Sequence, residues 1–164
     1  MTQEIDLEKY HQLALQKQKE HRKVLANLKK KPPKNLDKIA KEIHDEVFQE
    51  IDCTACANCC KTLGPDFKEA DITRIAKYFK MKLPAFEAEF LQVDEDGDKV
   101  FKSMPCPFLG GDNLCTIYDV RPKACREFPH TDRKKIYQIN HLTIKNTFTC
   151  PAAYLFVEKL KDRL

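Results

Sequence analysis

Four cysteines fall within "CTACANCC", at Cys53, Cys56, Cys59 and Cys60. The spacing C-x2-C-x2-C-C is too regular for buried small apolar side chains. It is also awkward for disulfides, because a bridge between neighbouring residues needs strained geometry. The second half of the chain supplies Cys106, Cys115, Cys125 and Cys150. Eight thiols suffice for two four-ligand sites, or for one site and a set of redox-active or structural thiols. Thiolates are soft ligands, so zinc and iron–sulfur clusters fit and magnesium and calcium do not.

Spacing separates the two remaining candidates in part. Cys53, Cys56 and Cys59 form the C-x2-C-x2-C run with which one loop grips a cubane 4Fe–4S cluster, the fourth ligand being a remote cysteine followed by proline. Cys106 and Cys150 are both followed by proline. Structural zinc usually shows two C-x2-C knuckles, whereas the other cysteines here are widely spread. The ligand logic therefore favours a 4Fe–4S cluster on Cys53, Cys56, Cys59 and Cys150 over zinc, and leaves zinc open. All eight cysteines are candidate metal ligands. Adjacent side chains diverge by about 100° in a helix and oppose each other in a strand, so Cys59 and Cys60 cannot easily share one mononuclear ion. Cys60 belongs to a neighbouring site or is a reactive thiol.

Other residues near the cysteines have two readings each. Lys61, Arg121, Lys123 and Arg126 either offset thiolate charge or are ordinary surface charge. His44 and His130 could be ligands or proton carriers, but a surface or capping role suits each better. His11 and His21 look uninvolved. Gly110-Gly111 lacks the context of a phosphate loop.

These residues need a scaffold, and the pattern is mostly helical. Residues 1–31 read as a polar helix with Leu7, Tyr10, Ala14, His21, Val24 and Leu28 on one side, stopped by Pro32-Pro33. Leu36, Ile39, Ala40, Ile43, Val47, Phe48 and Ile51 repeat at three and four, capped by Asn35 and leading into Cys53. The short connection predicts an antiparallel pair. A third helix is expected over about Lys68–Phe79, and Pro84 can open a short fourth one. Val93–Phe101 reads as a hairpin turning at Asp96-Gly97, whose acidic residues lack calcium-loop spacing. Pro105–Pro129 is irregular, Lys135–Ile139 and Leu142–Lys145 read as short strands, and a last helix covers about Ala152–Leu164. The predicted class is helix-dominated α+β, with cysteine-rich loops and one small hairpin. The helical pair would occupy residues 1–51, and the metal-binding domain with its C-terminal helix residues 52–164.

Composition bounds the setting. The chain has 164 residues, 33% of them charged, and a net charge of +4. The basic excess lies in Lys29-Lys30-Lys31 with Lys34, and in Arg133-Lys134-Lys135; both read as solvated faces, and nucleic acid is not expected as a partner. No leader-like or membrane-length apolar run is seen, which predicts a cytoplasmic protein with reduced thiols.

"CTACANCC", followed by "CPFL", "CTIYDVRPKACREFP" and "CP", resembles the YkgJ-type cysteine cluster proteins, a zinc- or iron-chelating domain family named for its CxxCxxCC motif. The likeness runs from about Cys53 to Pro151, and all eight family cysteines have counterparts. It implies metal or cluster chelation. Relatives are labelled iron–sulfur oxidoreductases without a defined reaction, and a related domain occurs in a flagellin lysine methylase; no methyl-donor site is visible here. Three functions follow: an iron–sulfur protein with a protein redox partner, a non-catalytic zinc module offering an interaction surface, or a thiol sensor using a residue such as Cys60.

Overall fold

A computed structural model describes residues 4–164 of the chain. In chain order the elements are α1 (Leu7–Lys30), α2 (Leu36–Glu50), α3 (Cys53–Cys56), α4 (Asn58–Thr62), β1 (Asp66–Phe67), α5 (Glu69–Tyr78), α6 (Leu83–Phe90), β2 (Leu91–Val93), β3 (Lys99–Phe101), α7 (Lys123–Glu127), α8 (Asn140–Thr147) and α9 (Pro151–Arg163). Short 3-10 turns occupy Tyr118–Val120 and Ile136–Ile139. The described residues divide into two compact units, 4–56 with 129–164 and 57–128.

The first unit is helical. Asp6 caps α1 by accepting the Lys9 amide at 2.9 Å, and α1 ends just before Pro32-Pro33. Asn35 stands at the N-cap of α2 but its side chain makes no capping bond. α1 and α2 each pack principally against α9 rather than on each other, and α8 lies against α1 and α9. Pro151 opens α9, where the missing amide costs nothing. Ala152, Phe156, Val157 and Leu160 are then buried against Leu25, Ile43 and Val47. α9 is apolar on most of its circumference because it has neighbours on most sides.

The two strands expected within 135–145 are a 3-10 turn and α8 instead. Burial there falls on Ile136, Ile139, Thr143, Ile144 and Thr147. That is a spacing of three and four, whereas a strand would bury every second residue. β-branched residues gave the segment its strand-like look without the matching period.

The second unit packs short elements on an aromatic core of Phe67, Phe86, Phe101 and Phe108 with Ile72, Ile75 and Ile117. Its sheet has the order β1-β3-β2, all antiparallel, with Leu91 opposite Phe101 and Asp66 opposite Val100. The expected hairpin is thus present with an added strand, β1. At its tip Asp94 Oδ1 accepts the amides of Asp96 and Asp98, and Gly97 takes φ +84°. The acidic turn uses its carboxylate on its own backbone. Beyond Pro105 the chain is mostly irregular, with one bridge between Leu109 and Cys115. The whole is a helix-dominated α+β structure.

Candidate metal centre

The helical unit carries three of the cysteines. Asp52 starts α3: its Oδ1 accepts the Thr54 amide at 2.8 Å and the Thr54 hydroxyl at 2.6 Å. One helical turn then sets Cys53 and Cys56 on the same side, since residues three apart are neighbours. Cys150 arrives from the other end of the unit as the N-cap of α9, its amide held by Asn146 O at 2.8 Å. Burial pushes the Cys150 thiol up to about 12, and the thiolates of Cys53 and Cys56 push the same way. The amides of Ala152 and Ala153 pull against that rise, although neither closes a full capping bond to the sulfur. Three sulfurs therefore share one electrostatic neighbourhood, in front of a helix N-terminus that favours negative charge.

The other five cysteines belong to the second unit. Ala57 takes a left-handed conformation, φ 49°, so that α4 begins as a separate helix. α4 carries Cys59 and Cys60, whose side chains diverge as adjacent helical positions must. Cys60 O accepts the Cys106 amide at 2.8 Å, tying α4 to the first loop cysteine. Gly110 and Leu114, then Thr116 and Phe108, are paired by backbone bonds of 2.8 Å that fold residues 106–117 back on themselves. This fold brings Cys115 beside Cys106. Burial pushes the Cys106 thiol up to about 11, with Cys60 and Cys115 contributing; the amides of Phe108 and Leu109 oppose it. Cys115 is also raised by burial, opposed by the Ile117 amide and the Arg121 guanidinium. Cys125 is exposed as a residue, yet its sulfur is crowded enough that burial pushes the thiol up to about 12, with Cys60, Cys106 and Cys115 adding. Cys60 goes the other way, to about 7, because the Cys59 thiol donates to it, with burial opposing and Lys61 assisting.

Each unit thus gathers its own thiols, and among the described residues no three cysteine, histidine or acidic side chains are drawn close enough to hold one ion. The donor set nonetheless fits a soft metal: it is made of thiols, most of them partly buried, and backbone amides face the sulfurs of Cys106, Cys115 and Cys150. Protonation, not ligation, is the state that burial favours for isolated thiols; a metal ion reverses that preference by binding the thiolate.

A pair that sequence reasoning passed over holds the second group in place. Asp71 is 2% exposed and accepts from the Lys68 amide at 3.0 Å, from Arg74 at 2.8 Å and from the Lys123 amide at 3.1 Å. The last of these opens α7, which carries Cys125. Arg74 in turn donates to Val120 O at 3.2 Å and Arg121 O at 2.9 Å. One ion pair on α5 therefore fixes the path from Cys115 to Cys125. A K-x-x-D pattern at the head of an amphipathic helix, with arginine three residues on, was the available signal. Of the flanking cations, Arg121 stacks on Tyr118 at 3.7 Å from the ring centre, and Lys123 pairs with Glu127 at 3.7 Å.

The histidines are engaged elsewhere. His44 bonds Thr131 Oγ1 at 2.7 Å and packs on Phe48. His21, expected to be uninvolved, is fully buried and bonded to Glu158 at 2.6 Å. Among the described residues no helix is long and apolar enough to cross a membrane.

Comparison with known proteins agrees with the cysteine pattern. No curated protein and no solved structure matches the chain. A family does match over residues 52–150, CxxCxxCC, with the description "Putative zinc- or iron-chelating domain". Because that span exceeds half of the chain and includes all the cysteines, the chain belongs to the CxxCxxCC family of zinc- or iron-chelating domains.

Proposed function

We propose that the chain is an iron–sulfur protein of reducing compartments that exchanges electrons with a protein partner. The observation that carries this reading is the placing of Cys53 and Cys56 near enough to Cys150, the N-cap of α9, to act electrostatically on its thiol, which burial and helix amides also act on. The C-x2-C-x2-C run of the sequence, Cys53, Cys56 and Cys59, is itself the pattern by which one loop grips a 4Fe–4S cluster. When bound, such a cluster supplies one-electron chemistry. The chain supplies the thiolates, the α9 dipole that offsets their charge, and the apolar surroundings that set potential and solvent access.

A separate observation favours zinc for the second group. Cys60, Cys106, Cys115 and Cys125 lie on two short helices and irregular loops, which gain order from four-thiolate ligation as structural zinc sites do. In this second reading the second unit is a non-catalytic module, and its loops form an interaction surface.

Anaerobic purification followed by joint analysis of iron, sulfide and zinc, with an absorption spectrum, tests both readings. Iron with equal sulfide and a broad band that dithionite bleaches is the expected result. A colourless protein holding only zinc would overturn the redox reading and leave the zinc module. Serine at Cys53, Cys56 or Cys150 should release the coloured centre; full retention in all three variants would remove them as ligands.

A further inference from the structure

We propose that the corner between α5 and α6 docks the chain on an anionic lipid bilayer, independently of any metal it carries. From Lys77 to Ala85 the sequence reads "KYFKMKLPA", with three lysines and no acidic residue. All of these residues are exposed except Met81, which is half-buried. Tyr78 is 53% exposed and Leu83 41%. Between them stands Phe79, stacked on the core residue Phe108 with ring centres 5.2 Å apart; Tyr78 meets Phe79 edge-on at 5.2 Å. The aromatic core thus supports the exposed rings from beneath.

Local structure does not account for this composition. α5 ends in a Schellman motif, in which the Met81 amide donates to Ala76 O at 2.9 Å and the Lys80 amide to Lys77 O at 3.0 Å. Lys80 takes the left-handed position of that motif, φ 54°, where glycine is the usual residue. Lys82 is the N-cap of α6 and makes no capping bond, at a position that serine, threonine or aspartate would fill. Its charge also opposes the dipole of α6. Only Lys77, in the last turn of α5, stands where a helix prefers a cation. Unpaired lysines occur elsewhere on the chain. Here two of them occupy positions that the local backbone disfavours, among exposed aromatic and aliphatic side chains, and such departures from local preference mark functional surfaces.

Size and charge select a bilayer as the occupant. A stable protein interface takes about 20–30 residues from each side, whereas this corner is one short run of chain. Shallow insertion needs only a few side chains: rings at headgroup depth, a leucine beside them, and lysines that lay their stems on apolar surface and keep their charges at the phosphates. Near an anionic surface each lysine strengthens partition about fivefold. Among the described residues no carboxylate lies within ion-pair distance of Lys77, Lys80 or Lys82. Of the acids that follow on α6, Glu87 is held by Lys99 at 2.7 Å, and Glu89 lies about two turns beyond Lys82.

Sedimentation of the full chain with vesicles of equal parts phosphatidylglycerol and phosphatidylcholine tests the assignment. Binding is expected to these vesicles and not to phosphatidylcholine alone. Lys80→Gly should weaken it about fivefold while raising the thermal midpoint, because glycine suits the left-handed position. Weaker binding by a more stable protein is not misfolding. Lys29→Ala/Lys30→Ala, which removes a basic pair from the other unit, should leave binding unchanged. The chain has no tryptophan, so Tyr78→Trp places a single reporter at the corner, and its emission should move to the blue on the anionic vesicles. The proposal is overturned by absence of binding at low ionic strength, by equal binding to phosphatidylcholine alone, or by undiminished binding of Lys80→Gly. An equal loss in Lys29→Ala/Lys30→Ala or an unmoved tryptophan emission does the same. A dimer in sedimentation equilibrium that Tyr78→Ser dissolves would also overturn it, by assigning the corner to a second copy of the chain.

Discussion

The two units carry thiols on different kinds of support. In the helical unit Cys150 stands at the head of α9, whose side chains fill the core, and Cys53 and Cys56 occupy one turn of helix after α2. Hydrophobic burial fixes α9 and α2 whatever the sulfurs bind, and α3, which buries no side chain of its own, continues from the end of α2. In the second unit Cys106 and Cys115 lie on loops and Cys125 on the five-residue α7, and their course depends on a few backbone bonds and on the Asp71–Arg74 pair. Preorganised ligands lose little entropy on binding, and loop ligands lose more. The contrast implies that metal reports on the first unit but builds part of the second.

Removing metal from the loaded protein should have the largest effect, since structural thiolate sites contribute on the order of 10 kcal/mol to folding. Hydrogen exchange after chelation should show lost protection across residues 106–128 and unchanged protection in α1, α2 and α9; equal loss in both would erase the distinction. Next, Phe156→Ala should destabilise the helical unit by about 3–5 kcal/mol in thermal or urea unfolding, because a large aromatic side chain leaves a cavity in a fully packed core. An effect near zero would mean that α9 does not dominate that core.

Asp71→Asn should cost about 1–3 kcal/mol, the range for hydrogen bonds to a charged group. Burial alone would raise the Asp71 carboxyl, but the Lys68 amide, Arg74 and the Lys123 amide outweigh it and hold it below its ordinary value. Its contribution is therefore complete above the unfolded value of about 4 and is lost as pH falls through the lower folded value. The variant should flatten the acid limb of the stability curve; an unchanged limb would count against the pair. The smallest effect is expected of Gly97→Ala, about 1 kcal/mol, from the positive φ at the hairpin tip with open space around it.

Most of the helices could be read from periodicity because they bury one face: Leu36, Ala40, Ile43 and Val47 repeat as a helix must. Prolines placed the end of α1 and the start of α6. The cysteine motif was specific enough to suggest the family directly. Segment 136–147 was misread because Ile136, Thr143 and Ile144 favour strands intrinsically while tertiary packing imposes a helical period. β1 was missed because two residues, Asp66 and Phe67, are too few for any period. Asp71 and Arg74 went unnoticed since their partners, Val120, Arg121 and Lys123, lie some fifty residues away, and only folding reveals which backbone groups a side chain serves.

Cys150 has one further consequence. Its sulfur is joined through three covalent bonds to the first residue boundary of α9, and Lys159 and Arg163 near the far end of that helix grip Glu46 and Glu50 on α2. α9 is thus a rod with a thiol at its tip and salt links at its base. A small displacement of the sulfur is taken up first by rotation of its own side chain, and only what remains would be a push along the rod toward its salt links on α2.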